Sequence, residues 1–481
     1  MSPMTEATKT QSLLINGQKI GSDRIDEVLS PWDGSLVGTV CLASDTEVEM
    51  AIASGHRVLE TMRRLPRHER RQALREIADG LRADKEGFAR TVALEAGKPI
   101  AQARAEVDRA AVTFDLAAEE TIRVGGEVVP IDLEVRAEGY IATMYRRPLG
   151  LIAGIAPFNF PLNLVAHKVA PALAAGNSIV LKPARKTPLT ALRLGHLALS
   201  AGIPAGAFNV VNCDREVGDR LVTDERFRML TFTGSPESGW PMRERAGRKR
   251  VVLELGGNAG VIVEPDADID WAVERCAAGG FYYAGQSCIS VQRIFIHEQI
   301  YTAFVEKLLK RVDLLKCGDP MDPNTEVGPV IDEASALRIV GWIEEAQKAG
   351  ARVLAGGKRR GTLVEPAVIE DPPRDAAVSC NEIFGPVVTV QRYAEFEGAL
   401  DAVNDSRYGL QAGLFTHDVR RIYRALERLE VGGVIVNEAP TFRMENYPYG
   451  GVKDSGLGRE GVRYAIEEMT EPRVLVLNPR R

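Results

Sequence analysis

The sequence alternates short apolar runs, each closed by polar or turn-forming residues, with longer stretches of helical periodicity. Between residues 151 and 234 the runs are L-I-A-G-I-A-P (151–157), S-I-V-L-K-P (178–183), F-N-V-V (208–211) and M-L-T-F-T-G (229–234). Helical patterns at 162–175 and 187–198 separate the first three runs. Short apolar runs bounded by turn formers are typical of buried strands. The alternation predicts right-handed βαβ units built on a parallel sheet.

The same alternation begins again after Glu254. Predicted strands cover 260–263, 293–296, 387–390, 434–436 and 473–477, and predicted helices cover 268–282, 298–314 and 332–349. Three earlier helices are predicted at 46–63, 66–90 and 99–122. A chain of 481 residues is too long for one ordinary core. We therefore predict an α/β fold with two doubly wound parallel-sheet domains in series, divided near Glu254.

Two segments fit neither domain. Residues 127–146 contain E-V-V-P-I-D and Y-I-A-T-M-Y-R-R, which predict a β-hairpin, and residues 473–477 predict a terminal strand. Exposed strands of this kind promote association unless they are paired. We expect both segments to serve as an oligomer contact.

Composition excludes several classes of function. The net charge is −6, so no overall basic surface suggests nucleic-acid binding. No apolar run reaches 18 residues, so no membrane helix is expected. Six cysteines and six histidines are scattered without metal-ligand spacing, so no metal site is expected. Free thiols and the polar segment Met1–Ser12, which lacks the apolar stretch of a signal peptide, favour a reducing, cytoplasmic location.

Two residues carry the strongest chemical signal. Glu254 lies in V-V-L-E-L-G-G-N, and Cys288 lies in A-G-Q-S-C-I-S. A thiolate is a strong nucleophile and a carboxylate can act as a base on water, so the pair predicts covalent catalysis followed by hydrolysis. Taken alone, a cysteine is more often a small buried apolar residue, and a glutamate is more often a solvated charge.

Weaker signals lie at the predicted carboxyl ends of strands, where open α/β sheets bind ligands. Asn159, in P-F-N-F-P, can donate to a developing oxyanion, or it can simply shape the turn before Pro161. Gly234 and Gly239, in F-T-G-S-P-E-S-G, allow a backbone to approach a phosphate at a helix start, although the spacing is not G-x-G-x-x-G. Lys182 can meet a nucleotide or be a solvated charge.

The motifs together are more specific than any one of them. The chain resembles the aldehyde dehydrogenase superfamily along essentially its whole length. The matching segments, in the family's order, are R-P-L-G-L-I-A-G-I-A-P-F-N-F-P, A-P-A-L-A-A-G-N-S-I-V-L-K-P, F-T-G-S-P-E-S-G, L-E-L-G-G-N, G-Q-S-C, E-I-F-G-P-V and P-Y-G-G-V-K-D-S-G-L-G-R-E.

The resemblance implies roles for three catalytic residues. Cys288 would attack the aldehyde carbon, Asn159 and the backbone N–H of Cys288 would hold the oxyanion, and Glu254 would activate water to release a carboxylic acid. Relatives that pass the acyl group to coenzyme A commonly lack the glutamate. Two alternatives stay open: a coenzyme-A-acylating dehydrogenase, and a catalytically silent family member with a structural or binding role.

The resemblance also implies NAD or NADP as the cofactor. The residues implied at its site are Pro157, Lys182, Gly234, Ser235, Gly239, Glu382 and Phe384. One position departs from many NAD-preferring relatives, which read K-P-S-E where this chain reads K-P-A-R, ending at Arg185. An arginine does not repel a 2′-phosphate, so we predict that NADP is accepted; alternatively, Arg185 points to solvent and NAD dominates.

The implied domain division is a dinucleotide-binding domain at 1–126 and 147–254, a catalytic domain at 255–446, and an oligomerisation arm at 127–146 and 465–481. The arm implies a homodimer or homotetramer.

The substrate prediction depends on the residues that line the family's aldehyde tunnel. By resemblance these are Arg109, Phe160, His167, Ser287, Ile289, Arg443 and Tyr449. Two arginines aimed into one tunnel repel each other unless an anion lies between them. We therefore expect a small aldehyde with an anionic tail: phosphonoacetaldehyde-like, phosphorylated, sulfonated, a semialdehyde, or a lactaldehyde-type compound. Ser287 stands where phosphate-binding relatives commonly carry arginine, and Arg109 alone can equally be paired with Glu106 or Glu95.

Overall fold

The computed structural model describes residues 10–479. Its strands are β1 Leu13–Ile15, β2 Gln18–Ile20, β3 Ile25–Leu29, β4 Leu36–Cys41, β5 Gly126–Val129, β6 Ile141–Pro148, β7 Leu151–Ile155, β8 Ser178–Lys182, β9 Phe208–Val210, β10 Phe227–Thr233, β11 Arg250–Glu254, β12 Ala259–Val263, β13 Val291–His297, β14 Arg352–Ala355, β15 Arg359–Arg360, β16 Leu363–Val364, β17 Ala367–Glu370, β18 Val387–Tyr393, β19 Tyr408–Gly409, β20 Gln411–Phe415, β21 Gly433–Val436, β22 Val452–Lys453, β23 Gly456–Leu457 and β24 Thr470–Leu477.

The helices alternate with these strands. They are α1 Asp45–Arg57, α2 Leu59–Arg64, α3 Arg67–Ala83, α4 Lys85–Ala96, α5 Ile100–Arg123, α6 Asn163–Ala175, α7 Leu189–Ser200, α8 Arg215–Thr223, α9 Pro236–Arg245, α10 Ile269–Phe281, α11 Tyr301–Asp313, α12 Glu333–Lys348, α13 Ala377–Cys380, α14 Phe396–Asn404, α15 Val419–Arg428 and α16 Val462–Glu468. Short 3₁₀ helices cover Val135–Ala137 and Tyr282–Gly285.

The first sheet has the order β2-β1-β9-β8-β7-β10-β11-β23. The five central strands, β9, β8, β7, β10 and β11, run parallel to one another. On one side β1 pairs antiparallel with β9, and on the other side β23 pairs antiparallel with β11. All of β7 and most of β8 and β10 are buried, because helices cover both faces of a parallel sheet. The strands β7, β10 and β11 are neighbours, so their carboxyl ends open at one edge.

The second sheet has the order β14-β17-β18-β13-β12-β20-β21. Its strands from β17 to β21 run parallel, and β14 is antiparallel at the edge. The chain leaves the first sheet at Glu254 and enters the second at Ala259, and it returns to the first sheet only through β23. The predicted α/β fold with two doubly wound sheets is confirmed.

The hairpin and the terminal strand predicted from sequence pair with each other. They form a three-stranded sheet of order β24-β6-β5, in which β24 runs antiparallel to β6 from Thr470 opposite Pro148 to Leu477 opposite Ile141. Smaller two-stranded sheets join β3 to β4, β15 to β16 and β19 to β22. Residues 1–9 and 480–481, included in the predicted domain ranges, lie outside the described residues.

Three details differ from the sequence prediction. The helix predicted at 66–90 is two helices, because Asp84 leaves helical geometry and pairs with Arg193 of α7. The helix predicted at 46–63 breaks at Val58 into α1 and α2. The sequence reasoning also missed β20, a fully buried strand beside the edge strand β21 of the second sheet, because Gln411 and Gly413 interrupt its apolar run.

A buried ion pair fixes the start of α6, the helix that carries three residues of the site. The Lys98 ammonium contacts the Glu106 carboxylate, and both side chains are fully buried. The other oxygen of Glu106 accepts hydrogen bonds from the backbone N–H groups of Leu162 (2.9 Å) and Asn163 (3.1 Å). Glu106 therefore satisfies helix-terminal donors that would otherwise be buried without partners.

We predict that Glu106→Ala destabilises the protein by about 3–5 kcal/mol, because it leaves Lys98 as an unpaired buried charge. Urea unfolding followed by circular dichroism measures the change. Glu119→Ala is the control, since Glu119 pairs with Arg71 and Arg75 at the surface and its loss should cost about 1 kcal/mol or less. Equal losses for the two variants would contradict the role given to Glu106.

Candidate active site

Cys288 lies in a tightly held loop between α10 and β13. Three consecutive residues before it, Tyr283, Ala284 and Gly285, have positive φ angles of 49°, 52° and 68°. Non-glycine residues rarely adopt this geometry, so neighbouring structure must hold it. The Tyr283 hydroxyl donates to the Ala96 carbonyl at 2.7 Å, and Gln286 Oε1 accepts from the Ile331 N–H at 2.8 Å. A strained loop with fixed anchors places Cys288 in one position.

The Cys288 thiol lies at the junction of two cavities. Its Sγ is 3.1 Å from the Tyr449 hydroxyl. Burial raises the pKa of the Cys288 thiol to about 12, and the hydrogen bond to Tyr449 offsets this only in part. The thiol is therefore protonated at neutral pH in this state, and it must lose its proton before it can act as a nucleophile.

Asn159 and Glu254 reach the same place from neighbouring strands. Asn159 follows β7, and its Nδ2 donates to the Gln286 carbonyl at 3.0 Å. Glu254 ends β11; it is 3% exposed, and neither carboxylate oxygen has a hydrogen-bond partner among the described residues. Burial, followed by the nearby Glu460 carboxylate, raises the pKa of Glu254 well above its usual range. All three predicted catalytic residues line the larger cavity.

A buried cluster of opposite charges lies behind Glu254. Lys168 of α6 is fully buried and contacts Thr231 Oγ1 (3.0 Å), Thr233 Oγ1 (2.7 Å) and Glu460 Oε1 (3.3 Å). Arg443 Nη2 donates to the other Glu460 oxygen at 3.1 Å, and its guanidinium lies 3.7 Å from the centre of the Tyr449 ring. Sequence reasoning did not include Lys168 or Glu460.

Glu445 is the most important residue that the sequence prediction missed. It is 4% exposed, and its carboxylate accepts from Arg109 Nε (2.6 Å) and bonds His167 Nε2 (2.6 Å). Asn163 Nδ2 lies at 3.5 Å and Arg443 Nε at 3.7 Å. Burial opposes ionisation, yet His167, Arg109 and Arg443 hold the pKa of Glu445 well below its usual range.

This carboxylate corrects the argument about two repelling arginines. An anion does lie between Arg109 and Arg443, but it belongs to the protein. The position of Glu445 two residues after Arg443 was the available signal, because two arginines in one tunnel demand a counter-charge and Glu445 is an acidic group in the same loop.

The smaller cavity is a tunnel of about 310 Å³ that ends at Cys288. Six of the seven predicted substrate residues line it, namely Arg109, Phe160, Ser287, Ile289, Arg443 and Tyr449. His167 was wrongly placed in the tunnel wall: it is 1% exposed and lies behind the wall, hydrogen-bonded to Glu445. Arg275, Tyr282 and Thr441 also line the tunnel and were not predicted.

The larger cavity, of about 730 Å³, follows the carboxyl ends of the first sheet. Five of the predicted cofactor residues line it, namely Pro157, Gly234, Ser235, Glu382 and Phe384. Its wall includes the start of α9, where helical N–H groups favour a phosphate.

Two close approaches shape this wall. A Cβ on Gly256 would lie 2.6 Å from Glu382 Oε2, and the Gly257 N–H donates to Glu382 Oε1 at 2.9 Å. Burial raises the pKa of Glu382 to about 7. The cavity wall thus contains N–H groups at the start of α9 that suit a phosphate and the Glu382 carboxyl that is held by Gly257. This combination fits a dinucleotide.

Three predicted cofactor residues do not line this cavity. Lys182 packs its side chain against Gly218, and Gly239 lies against Leu255, where a Cβ would come within 2.5 Å. Arg185 Nε and Nη2 contact the Asp26 carboxylate at 2.5 and 3.0 Å. The predicted contact of Arg185 with a 2′-phosphate therefore requires this pair to open.

A long cavity at the carboxyl ends of doubly wound strands is where such proteins bind dinucleotides. The fold and the cavity thus define the class of nucleotide-dependent dehydrogenases. Within that class, the chain belongs to the aldehyde dehydrogenase family, whose sequence profile matches residues 19–475. It is an oxidoreductase that acts on small aldehydes with NAD or NADP.

The similar proteins span the whole chain. The 3-sulfolactaldehyde dehydrogenase of Priestia aryabhattai is 43% identical over 99% of this chain and 100% of its own. Aldehyde dehydrogenase 21 of Physcomitrella patens, solved with the reaction product succinate, is 42% identical, with a TM-score of 0.96 and 98% of each chain covered. The glyceraldehyde-3-phosphate dehydrogenase GapN of Methanocaldococcus jannaschii, solved with NADP, is 39% identical, with a TM-score of 0.91, 95% of this chain and 100% of that one.

Within residues 10–479, no helix is both long and apolar enough to cross a membrane. The same residues contain no group of three or more His, Cys, Asp and Glu side chains placed to hold a metal ion.

We predict that Asp26→Asn raises the ratio of kcat/KM for NADP to that for NAD, because it removes the carboxylate that holds Arg185. Steady-state rates with both cofactors measure the ratio. The double variant Asp26→Asn with Arg185→Ala should return the ratio to the wild-type value. An increase that persists in the double variant would show that Arg185 does not contact the 2′-phosphate.

Proposed function

We propose that this enzyme oxidises a small aldehyde with an anionic tail to a carboxylic acid through a covalent adduct on Cys288. The observation that carries this proposal is the pair of arginines, Arg109 and Arg443, in the wall of the tunnel that ends at Cys288. Glu445 contacts Arg109 through Nε only, and within residues 10–479 no hydrogen bond takes the two Nη groups of Arg109. A sulfonate, carboxylate, phosphate or phosphonate matches such a guanidinium fork.

The chemistry starts at the thiol. Once deprotonated, Cys288 Sγ attacks the aldehyde carbon, a C–S bond forms, and the carbonyl π electrons move to oxygen. The Asn159 amide, which faces the same cavity, donates to that oxyanion, and such a donor is worth about 3 kcal/mol. A bound nicotinamide cofactor would accept the hydride that leaves the adduct carbon as the C=O bond re-forms, so that a thioester remains on Cys288. Pro157, Gly234, Ser235, Glu382 and Phe384 would hold the cofactor.

Glu254 completes the reaction. The resulting thioester carbon is attacked by water, whose proton passes to the Glu254 carboxylate, and the C–S bond breaks to return Cys288 and release the acid. Burial and the nearby Glu460 carboxylate raise the pKa of Glu254, which favours its protonated form relative to a free glutamate. Arg443 and Lys168 oppose that shift and favour the ionised base. Release of the acid should therefore slow as pH falls through the raised pKa.

The relatives support the choice of substrate class. One is named for a sulfonated aldehyde, and a second was solved with a dicarboxylate product. A carboxylate or sulfonate tail is the chemical feature common to both. The exact aldehyde stays a matter for experiment, and lactaldehyde-type compounds belong in the panel.

We also propose that the sheet β24-β6-β5 contacts a second copy of the chain. Four consecutive apolar residues of β24, Val474 to Leu477, are each 44–58% exposed, and Val128 of β5 is 72% exposed. Exposed apolar strands of this kind mark contact surfaces. Light scattering on the purified chain distinguishes a dimer or tetramer from a monomer.

We predict that Arg109→Met lowers kcat/KM about 10- to 100-fold for anionic aldehydes and leaves neutral aldehydes nearly unchanged, because it removes a charged donor to the tail. A panel of sulfonated, carboxylated, phosphorylated and neutral aldehydes measures this. Arg104→Met is the matched control, since Arg104 lies on the same helix and pairs with Glu86 at the surface. An equal loss on neutral aldehydes would rule out a tail-binding role.

We predict that Glu254→Gln abolishes turnover but keeps the first hydride transfer, because the amide cannot take a proton from water. Stopped-flow absorbance should show a burst of about one reduced cofactor per active site, followed by a rate lowered about 10²–10⁴-fold. Added coenzyme A should not restore wild-type turnover. Restoration would favour the acyl-transfer alternative, and absence of a burst would assign Glu254 an earlier role.

A further inference from the structure

We propose that Glu445 is a specificity-determining residue that adapts the tunnel to an aldehyde tail with one negative charge, a sulfonate or a carboxylate, in preference to a dianionic phosphate. The inference rests on the proposed function, since an anionic tail must bind near Arg109 and Arg443. It goes further because it distinguishes tails with one negative charge from tails with two, whereas the two arginines alone would bind either kind.

The charges in the tunnel wall sum to one positive unit. Three cations line the tunnel, Arg109, Arg275 and Arg443. Arg275 is balanced by Glu438, whose Oε1 lies 2.5 Å from its Nε. Arg109 and Arg443 contact the Glu445 carboxylate at 2.6 and 3.7 Å. Arg443 and Lys168 contact the Glu460 carboxylate at 3.1 and 3.3 Å, so three cations face two carboxylates. One positive charge is therefore left for the substrate.

The charged groups just behind the wall do not alter this sum. Lys98 is paired with Glu106, and both side chains are fully buried. Glu254 lines the larger cavity and not the tunnel, and burial raises its pKa. The balance at the tunnel thus depends on Glu445.

His167 lies behind the tunnel wall rather than in it. Its Nε2 bonds Glu445 at 2.6 Å, whereas its buried Nδ1 has no hydrogen-bond partner among the described residues. A proton on Nδ1 would be a buried donor without an acceptor, which is costly.

Glu445 is also fixed in place, so a substrate cannot displace it. Arg109, His167 and Asn163 contact its carboxylate from α5 and α6, and the side chain is 4% exposed. A phosphate ester carries close to two negative charges at neutral pH, with a second pKa of about 6. Its second charge would lie near the Glu445 carboxylate without a partner, and such an unpaired charge selects against the wrong ligand.

The test compares two three-carbon aldehydes, one with a sulfonate and one with a phosphate tail, with two four-carbon aldehydes, one with a carboxylate tail and one neutral. Rates are measured at pH 8 with 3-sulfolactaldehyde, glyceraldehyde 3-phosphate, succinic semialdehyde and neutral butyraldehyde. The wild-type kcat/KM should favour the sulfonate over the phosphate by about tenfold or more, as expected for one uncompensated charge at short range. Glu445→Gln should lower this ratio to about one or below, because the tunnel then carries two positive charges.

Two controls separate the charge effect from general damage. Glu119→Gln removes a carboxylate that also bridges two arginines, but at the surface, and it should leave the ratio unchanged. In the wild-type enzyme, lowering the pH from 8 to 5.5 should raise the phosphate rate relative to the sulfonate rate, since the phosphate becomes a monoanion and the sulfonate does not titrate. This second measurement decides the matter even when Glu445→Gln fails to fold.

The outcomes distinguish the proposed function, oxidation of an aldehyde with an anionic tail, from the proposed role of Glu445. Preference for butyraldehyde over every anionic aldehyde would overturn the proposed function. Preference for anionic aldehydes with phosphate equal to or better than sulfonate at pH 8 would leave that function standing and overturn the role of Glu445. A sulfonate preference that Glu445→Gln does not change would also overturn it.

Discussion

The active site depends on keeping cations buried beside a reactive thiol. Lys168 and Arg443 are almost entirely removed from water, and Arg109 is about one-third exposed at its side chain. Such charges are tolerated only when carboxylates face them. Glu445 and Glu460, both from the C-terminal part of the chain, supply those partners. The same contacts join α5, α6 and β10 to the C-terminal part of the chain. The need to pair buried cations with carboxylates therefore positions both the tunnel wall and the charged residues next to Glu254.

The cluster also separates two carboxylates chemically. Glu460 keeps its charge because Lys168 and Arg443 contact it, and burial beside Glu460 disfavours the charge on Glu254. Neighbouring acids with divergent proton affinities are a common arrangement in catalysis. Here Glu460 pairs with the buried cations, whereas Glu254 has no such partner within residues 10–479 and its raised pKa favours proton uptake. Both residues are glutamates, so residue type alone does not predict the difference.

Much of this arrangement could be predicted from the sequence. Apolar runs such as L-I-A-G-I-A-P have a local signature, so several parallel strands and the place of Asn159 at the carboxyl end of one of them followed from pattern. The place of Glu254 at the end of β11 did not, because no strand was predicted there. Glu445 could not be found in that way, because its partners Arg109 and His167 lie 336 and 278 residues away. The break at Asp84 likewise depends on Arg193, and the true neighbour of Arg185 is Asp26, 159 residues earlier.

The pairing of β24 with β6 and of β23 with β11 has a consequence for synthesis of the protein. The first sheet is closed by Gly456–Leu457, and the hairpin near residue 140 waits for Thr470–Leu477. A chain emerging from the ribosome therefore presents an unfinished first sheet, and one open edge of β6, until residues 456–477 have been made. A ribosome that stalls before residue 456 would release a chain without β23, β24 and Glu460, in which Lys168 and Arg443 have lost one of the carboxylates that face them.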